Sequence, residues 1–120
     1  MEGKTLERDV RKRVKTALDK HGFHYHSVVA GPYSKAGVED DTACIDGRYV
    51  LIESKNTEKD KPTAMQIRNA QSARASGALA LLVHHGNIDT FEAWIDQCYF
   101  NEFCSLNKYA ADIGWPAKWL

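Results

Sequence analysis

The sequence carries no excess charge of either sign. Its 16 lysines and arginines balance 16 aspartates and glutamates across 120 residues, so overall charge gives it no bulk attraction to nucleic acid or to an anionic surface. It also lacks a long apolar run. The longest, residues 78–83, covers six positions, far short of the roughly 20 that a helix needs to span a bilayer. The charged N-terminus lacks the apolar stretch of a signal peptide. Cysteine is scarce: Cys44, Cys98 and Cys104 form an odd set without metal-type spacing. That pattern excludes a disulfide framework and suits reduced thiols in a cytosolic protein. There is no glycine-rich phosphate loop of the Walker or dinucleotide type, no internal repeat and no low-complexity segment.

What is present reads as one globular domain over residues 1–120, with 43% hydrophobic residues and enough chain to bury a single core. The charges are balanced but not evenly spread. Arg8, Arg11, Lys12, Arg13, Lys15 and Lys20 crowd the first predicted helix, while carboxylates gather around residues 39–46. A neutral protein can bind DNA through such a local basic surface beside an acidic pocket. A basic helix face can equally be no more than solvated.

Leu6, Val10, Val14, Ala17 and Leu18 recur at helical spacing, with Thr5 as the expected N-cap and Gly22 as the stop. Residues 23–29 alternate as a first strand ending at Gly31-Pro32. Two strands follow, near 40–45 and 48–55, joined by Asp46-Gly47. Asp-Gly between apolar runs is among the strongest short hairpin signals. Residues 56–61 form a polar loop, and Pro62-Thr63 opens a helix closing near Gly77. Residues 78–83 read as a strand covered on both faces, parallel to the strand carrying Glu53. Asp89 is expected to cap a helix containing Phe91, Trp94, Ile95 and Cys98, and the tail carries Phe103, Tyr109, Trp115 and Trp119. The expected fold class is α/β, in the order α-β-β-β-α-β with a C-terminal helical, aromatic-rich extension.

Chemistry concentrates in the hairpin. With a two-residue loop, Ile45 pairs with Arg48, and counting outward sets Asp40 opposite Glu53. Opposed residues share a face, with Cβ atoms about 4.5–5.5 Å apart. Lys55, two residues beyond Glu53, joins that face. Carboxylates that close repel unless a cation sits between them, and a divalent metal with a lysine beside it is the simplest resolution. Mg²⁺ takes hard oxygen ligands and often only one or two protein carboxylates, so Asp40, Glu53 and the backbone carbonyl of Ser54 are the candidate ligands. A divalent cation makes water easier to deprotonate, and water can then attack a phosphodiester. Lys55 can orient that water or offset charge in the transition state. The alternative is a hairpin with ordinary surface charges. Asp41 should face the opposite way; a one-residue slip would exchange Asp40 and Asp41. Glu7 lies by spacing on or beside the apolar side of the first helix. It is either a first-turn carboxylate favoured by the helix dipole or a further ligand, directly or through water.

Gly37-Val38-Glu39-Asp40, followed by Ile52-Glu53-Ser54-Lys55, resembles the bipartite motif of the PD-(D/E)XK nucleases. More closely it is similar to their VRR-NUC branch, small stand-alone versions of which occur in phages. That branch shows a glycine three residues before the aspartate, a Glu-x-Lys strand and a glutamine at the start of the next helix. Thr63-Ala64-Met65-Gln66 matches the last of these, and Glu7-x-x-Val10-x-x-x-Val14-x-x-x-Leu18-x-x-x-Gly22 resembles the first helix of the branch, whose glutamate joins the active site. One departure is Glu39 in place of the usual proline. The resemblance covers roughly residues 5–83, taken as the core, with about 84–120 as the extension.

The resemblance implies a restriction-endonuclease-like core with a mixed sheet. It implies an endodeoxyribonuclease dependent on Mg²⁺ or Mn²⁺, acting as a homodimer on branched DNA such as four-way (Holliday) junctions. Its catalytic set would be Asp40, Glu53 and Lys55, assisted by Glu7 and Gln66. It implies no membrane partner, no organic cofactor, and a cytoplasmic location (the host cytoplasm if phage-encoded). Gln66, in the first turn of its helix, would hold water, Lys55 or a phosphate; without the resemblance it is an ordinary helix residue. Tyr33, Ser34 and Lys35 before the hairpin, with Arg11 and Lys15 on the first helix, are the DNA-contact candidates. As loop residues the first three need no function.

Three rivals differ in class. A DNA-binding module on a nuclease fold would bind without cutting, and Asp40→Asn separates it from a nuclease. An enzyme on nucleotides or other phosphate esters would act without DNA. A zinc site drawn from His24, His26, His84 and His85 matches no structural spacing pattern, and no cysteine occupies a recognisable nucleophile turn.

Overall fold

The computed structural model describes residues 7–27, 41–45, 47–57 and 59–100, the last four of these as backbone. Helix α1 spans Glu7–Lys20, strands β1, β2 and β3 span Tyr25–Ser27, Asp41–Ile45 and Arg48–Ser54, α2 spans Ala64–Ala75, β4 spans Leu79–Val83 and α3 spans Ile88–Phe100. The architecture is α/β, with one four-stranded mixed sheet in the order β1-β2-β3-β4. The first three strands pair antiparallel, and β3 and β4 pair parallel, as the helical crossover through α2 requires.

The hairpin register follows the count made on the sequence. Ile45 faces Arg48 across the turn, and Asp41 faces Ile52. Gly47 sits at φ 79°, the left-handed backbone that tight hairpin turns demand and that glycine adopts at least cost. Asp40 lies outside the described residues, as do Thr5, Tyr33, Ser34, Lys35, Cys104 and the aromatics of the tail.

Alternation splits the sheet into two environments. Ala43, Ile45, Val50, Ile52, Leu79, Leu81 and Val83 face one way and meet Val10, Val14 and Leu18 of α1 and Ile88, Phe91, Trp94 and Ile95 of α3. On the opposite face Ala80 and Leu82 meet Ala70 and Ile67 of α2. All five residues of β4 are buried, which explains their continuous apolar run. Because α3 supplies four fully buried side chains to the larger cluster, the packed core runs on well past residue 83. Burying its Trp94 and Phe91, both at most 1% exposed, is worth about 1.5–3 kcal/mol or more each. On the α2 side of the sheet, Cys44 of β2 and its cross-strand neighbour Tyr49 of β3 are exposed.

The helix ends show why the boundaries fall where they do. Thr63, not Pro62, is the N-cap of α2: its hydroxyl accepts from the Gln66 N–H at 3.1 Å, and Gln66 Oε1 accepts from the Thr63 N–H at 2.8 Å. Those reciprocal bonds form a capping box. Both α1 and α2 close with paired bonds past a glycine. Phe23 N–H reaches the Leu18 carbonyl and Gly22 N–H that of Asp19; Ala78 N–H reaches Ala73 and Gly77 N–H reaches Arg74. Gly22 and Gly77 have φ of 69° and 98°, the Schellman ending. At α3 the sequence expectation needs correction, because the helix starts at Ile88 and Asp89 lies inside the first turn. Its carboxylate is drawn to Arg13 of α1 at 2.9 Å, and Asn87 caps the preceding turn by accepting from His84 N–H at 2.8 Å.

Candidate functional site

Glu53 is the least expected side chain of the central strand. It stands next to last on β3, paired in register with Leu82 of β4, and its side chain is only 2% exposed. An ionised carboxylate so placed is costly unless hydrogen-bonded and charge-paired. Both needs are met locally. Gln66 Nε2 donates to Glu53 Oε2 at 3.0 Å, and Lys55 Nζ lies 3.6 Å from the same oxygen, itself 14% exposed.

Each partner arrives by a separate structural rule. Lys55 shares the Glu53 face because strand side chains repeat every two residues, and its N–H continues the parallel ladder to the Val83 carbonyl at 2.8 Å. Gln66 is carried in by the start of α2. Its Oε1 is already engaged by the Thr63 N–H, which turns its amide nitrogen toward the carboxylate. One side chain therefore caps a helix and orients a buried acid. The first turn of α2 also presents the positive end of its dipole to that acid.

Asp41 is the carboxylate that sequence reasoning undervalued. It is fully buried on the α1–α3 side of the sheet, opposite to Glu53, and accepts from Ser27 Oγ at 2.7 Å. Ser27 is its direct cross-strand neighbour, a pairing legible only once β1 and β2 are aligned. The observed register excludes the slip that would have brought Asp41 to Glu53. Glu7, expected on or beside the apolar side of α1, is exposed, since the helix begins there and the line through Val10 and Val14 extends past the covered core.

The fit to a divalent metal rests on donor chemistry. Glu53 offers a buried hard oxygen next to the Lys55 ammonium, and Mg²⁺ sites commonly use one or two carboxylates. Among the described residues no three His, Cys, Asp or Glu converge, so a second acidic ligand must come from elsewhere; Asp40, its sequence candidate, lies outside those residues. Ser54, whose carbonyl was the third candidate donor, is fully buried beside Glu53.

Arg11 and Lys15, the helix residues expected to touch DNA, line a cleft of about 390 Å³ between α1 and Tyr25 of β1. On the other flank of α1, Arg13 is held by Asp89 and by Glu92, its Nε 3.1 Å from Glu92 Oε2. The bond to Glu92, then that to Asp89, raises the Arg13 pKa above its ordinary value. Asp96 accepts from His21 Nε2 at 2.6 Å with Lys20 at 3.6 Å; chiefly through the His21 bond, its carboxyl titrates below the usual carboxylate range. His24 and His26 lie with Thr42, Cys44 and Tyr49 around a shallow hollow on the sheet.

No protein-family model matches this sequence, and no curated protein matches it either.

Proposed function

We propose that this protein is a metal-dependent DNA endonuclease with a restriction-endonuclease-like core, a small nuclease of the PD-(D/E)XK type close to the VRR-NUC branch. The observation that carries the reading is the convergence of Glu53, Lys55 and Gln66 at the carboxyl end of β3. A buried acid, an adjacent cation and an amide locked by a capping box form an expensive arrangement for structure alone, because an apolar residue at 53 would pack against Leu82 without any of them.

In this reading Glu53 would hold Mg²⁺ or Mn²⁺, and Asp40, the Ser54 carbonyl and Glu7 are the further residues that would take part in holding it. The bound ion supplies Lewis acidity toward water and phosphate. Gln66 keeps the Glu53 carboxylate in one orientation. Lys55 exchanges its contact with Glu53 for one with the scissile phosphate, where its ammonium offsets the charge that accumulates in the transition state. The expected substrate is branched DNA such as a four-way junction, cut by a two-fold dimer whose paired sites suit paired incisions.

The test is cleavage of labelled junction, flap and linear duplex DNA with Mg²⁺, with Mn²⁺ and with EDTA. Cutting that needs metal and falls by about 10²–10³ in Lys55→Ala is the expected result. Binding without cutting under either metal would leave a DNA-binding module as the better account. Hydrolysis of free nucleotides but not of DNA would point to a phosphate-ester enzyme.

A further inference from the structure

Helix α1 carries its positive charge on two flanks that differ in one respect. On the flank toward α3, Arg13 meets Asp89 and Glu92, and Lys20 meets Asp96. On the other flank Arg8, Arg11, Lys12 and Lys15 turn toward the cleft against β1, and among the described residues no carboxylate pairs with any of them. Asp19, at the far end of the cleft, is engaged by the Tyr25 hydroxyl at 3.3 Å instead. Arg11 adds a second sign of an absent partner: its Nε is buried and donates to nothing among the described residues. Like charges grouped around a concavity repel, and a buried donor left unmet is unfavourable. An anion in the cleft relieves both.

We propose that this cleft seats the phosphate backbone of a duplex DNA strand, gripped by Arg8, Arg11, Lys12 and Lys15 at a distance from the chemistry on β3. The shape of the charge favours a polymer over a single phosphate. The four residues advance along one side of the helix over about 10 Å, at 1.5 Å per residue. Successive phosphates of one DNA strand rise about 3.4 Å along the axis and, being wound around it, stand roughly twice that far apart, so the row spans two to three of them. The cleft also lies on the α1 side of the sheet, whereas Glu53 and Lys55 face α2. It is thus a second contact that fixes where the duplex lies, separate from the group that is cut. The choice of DNA over another polyanion rests on the nuclease reading; the cleft itself does not.

The experiment is fluorescence polarisation of a labelled duplex and a labelled four-way junction in EDTA, where nothing is cut, at several salt concentrations. The slope of log affinity against log salt counts phosphates neutralised. The combined variant Arg8→Gln, Arg11→Gln, Lys12→Gln, Lys15→Gln should flatten that slope by about 2–3, and Arg11→Gln or Lys15→Gln alone by up to about 1. The single variants decide the matter if the combined one does not fold. Arg13→Gln should leave the slope unchanged, because the Arg13 guanidinium is already held by Asp89 and Glu92. An unaltered slope in the cleft variants overturns the proposal. So does binding of wild type to vesicles of anionic lipid but not to DNA. The two readings fail differently: slope loss in the cleft variants with no cutting under any metal leaves the cleft standing without the nuclease, whereas metal-dependent cutting with an unaltered slope does the reverse.

Discussion

Glu53 and Gln66 show how far a single side chain can be read. Glu53→Gln keeps an oxygen for Gln66 Nε2 but leaves the Lys55 ammonium, 14% exposed, without its carboxylate, and removing one partner of a buried pair is destabilising. Its melting temperature should fall below that of wild type as cleavage disappears; an unchanged melting temperature would mean that the contact with Lys55 adds no stability. Gln66→Ala removes two contacts at once. Loss of half the capping box should cost about 1 kcal/mol in denaturant unfolding, and loss of the bond to Glu53 should lower cleavage by about 10–100-fold. Thr63→Ala shares the first effect without touching Glu53 directly, so comparing the pair separates helix stability from acid orientation.

At the level of elements, α1 and α3 are joined by packing and by ion pairs, and the ion pairs respond to pH. Asp96 has its pKa lowered in the folded protein, first by the His21 bond. A depressed carboxyl stabilises above its unfolded pKa and loses that contribution as pH falls through its folded value. Wild type should therefore lose melting temperature more steeply than Asp96→Asn as pH drops below about 4. Identical slopes throughout would remove Asp96 from the acid response. Arg13, whose side chain is 43% exposed, is a weaker joint: after solvent screening, Arg13→Ala should cost no more than about 1 kcal/mol.

The whole molecule answers the metal question without any turnover. An ion that binds the folded chain alone raises its stability by mass action, about 2.7 kcal/mol at a hundredfold excess over the dissociation constant. Thermal melts with Mg²⁺ or Mn²⁺ should move upward for wild type and stay put for Glu53→Gln. An equal rise in both proteins would assign the ion to some other place. The same architecture separates the two contacts proposed for DNA. The acid and its lysine lie on the α2 side of β3, and the basic cleft lies between α1 and the edge strand β1, so one duplex touching both must bridge the two faces of the sheet.

Local pattern carried much of this protein. The Asp46-Gly47 turn and the alternation beside it determined the register that separates Asp41 from the Glu53 face. The apolar period of α1 determined which side of it is buried, and the six-residue run at 78–83 determined a covered strand parallel to β3. These are short-range matters, settled by backbone geometry and the period of each element. Only the tertiary structure decided the environment of each charge. It paired Asp41 with Ser27, fourteen residues away, brought Gln66 to Glu53, drew Asp89 from a capping role to Arg13, and gave the cations on one flank of α1 carboxylate partners while those on the other have none among the described residues. Charge in a sequence has a sign and a position but no neighbours, and the free energy of a charged group depends on which neighbours and how little water surround it.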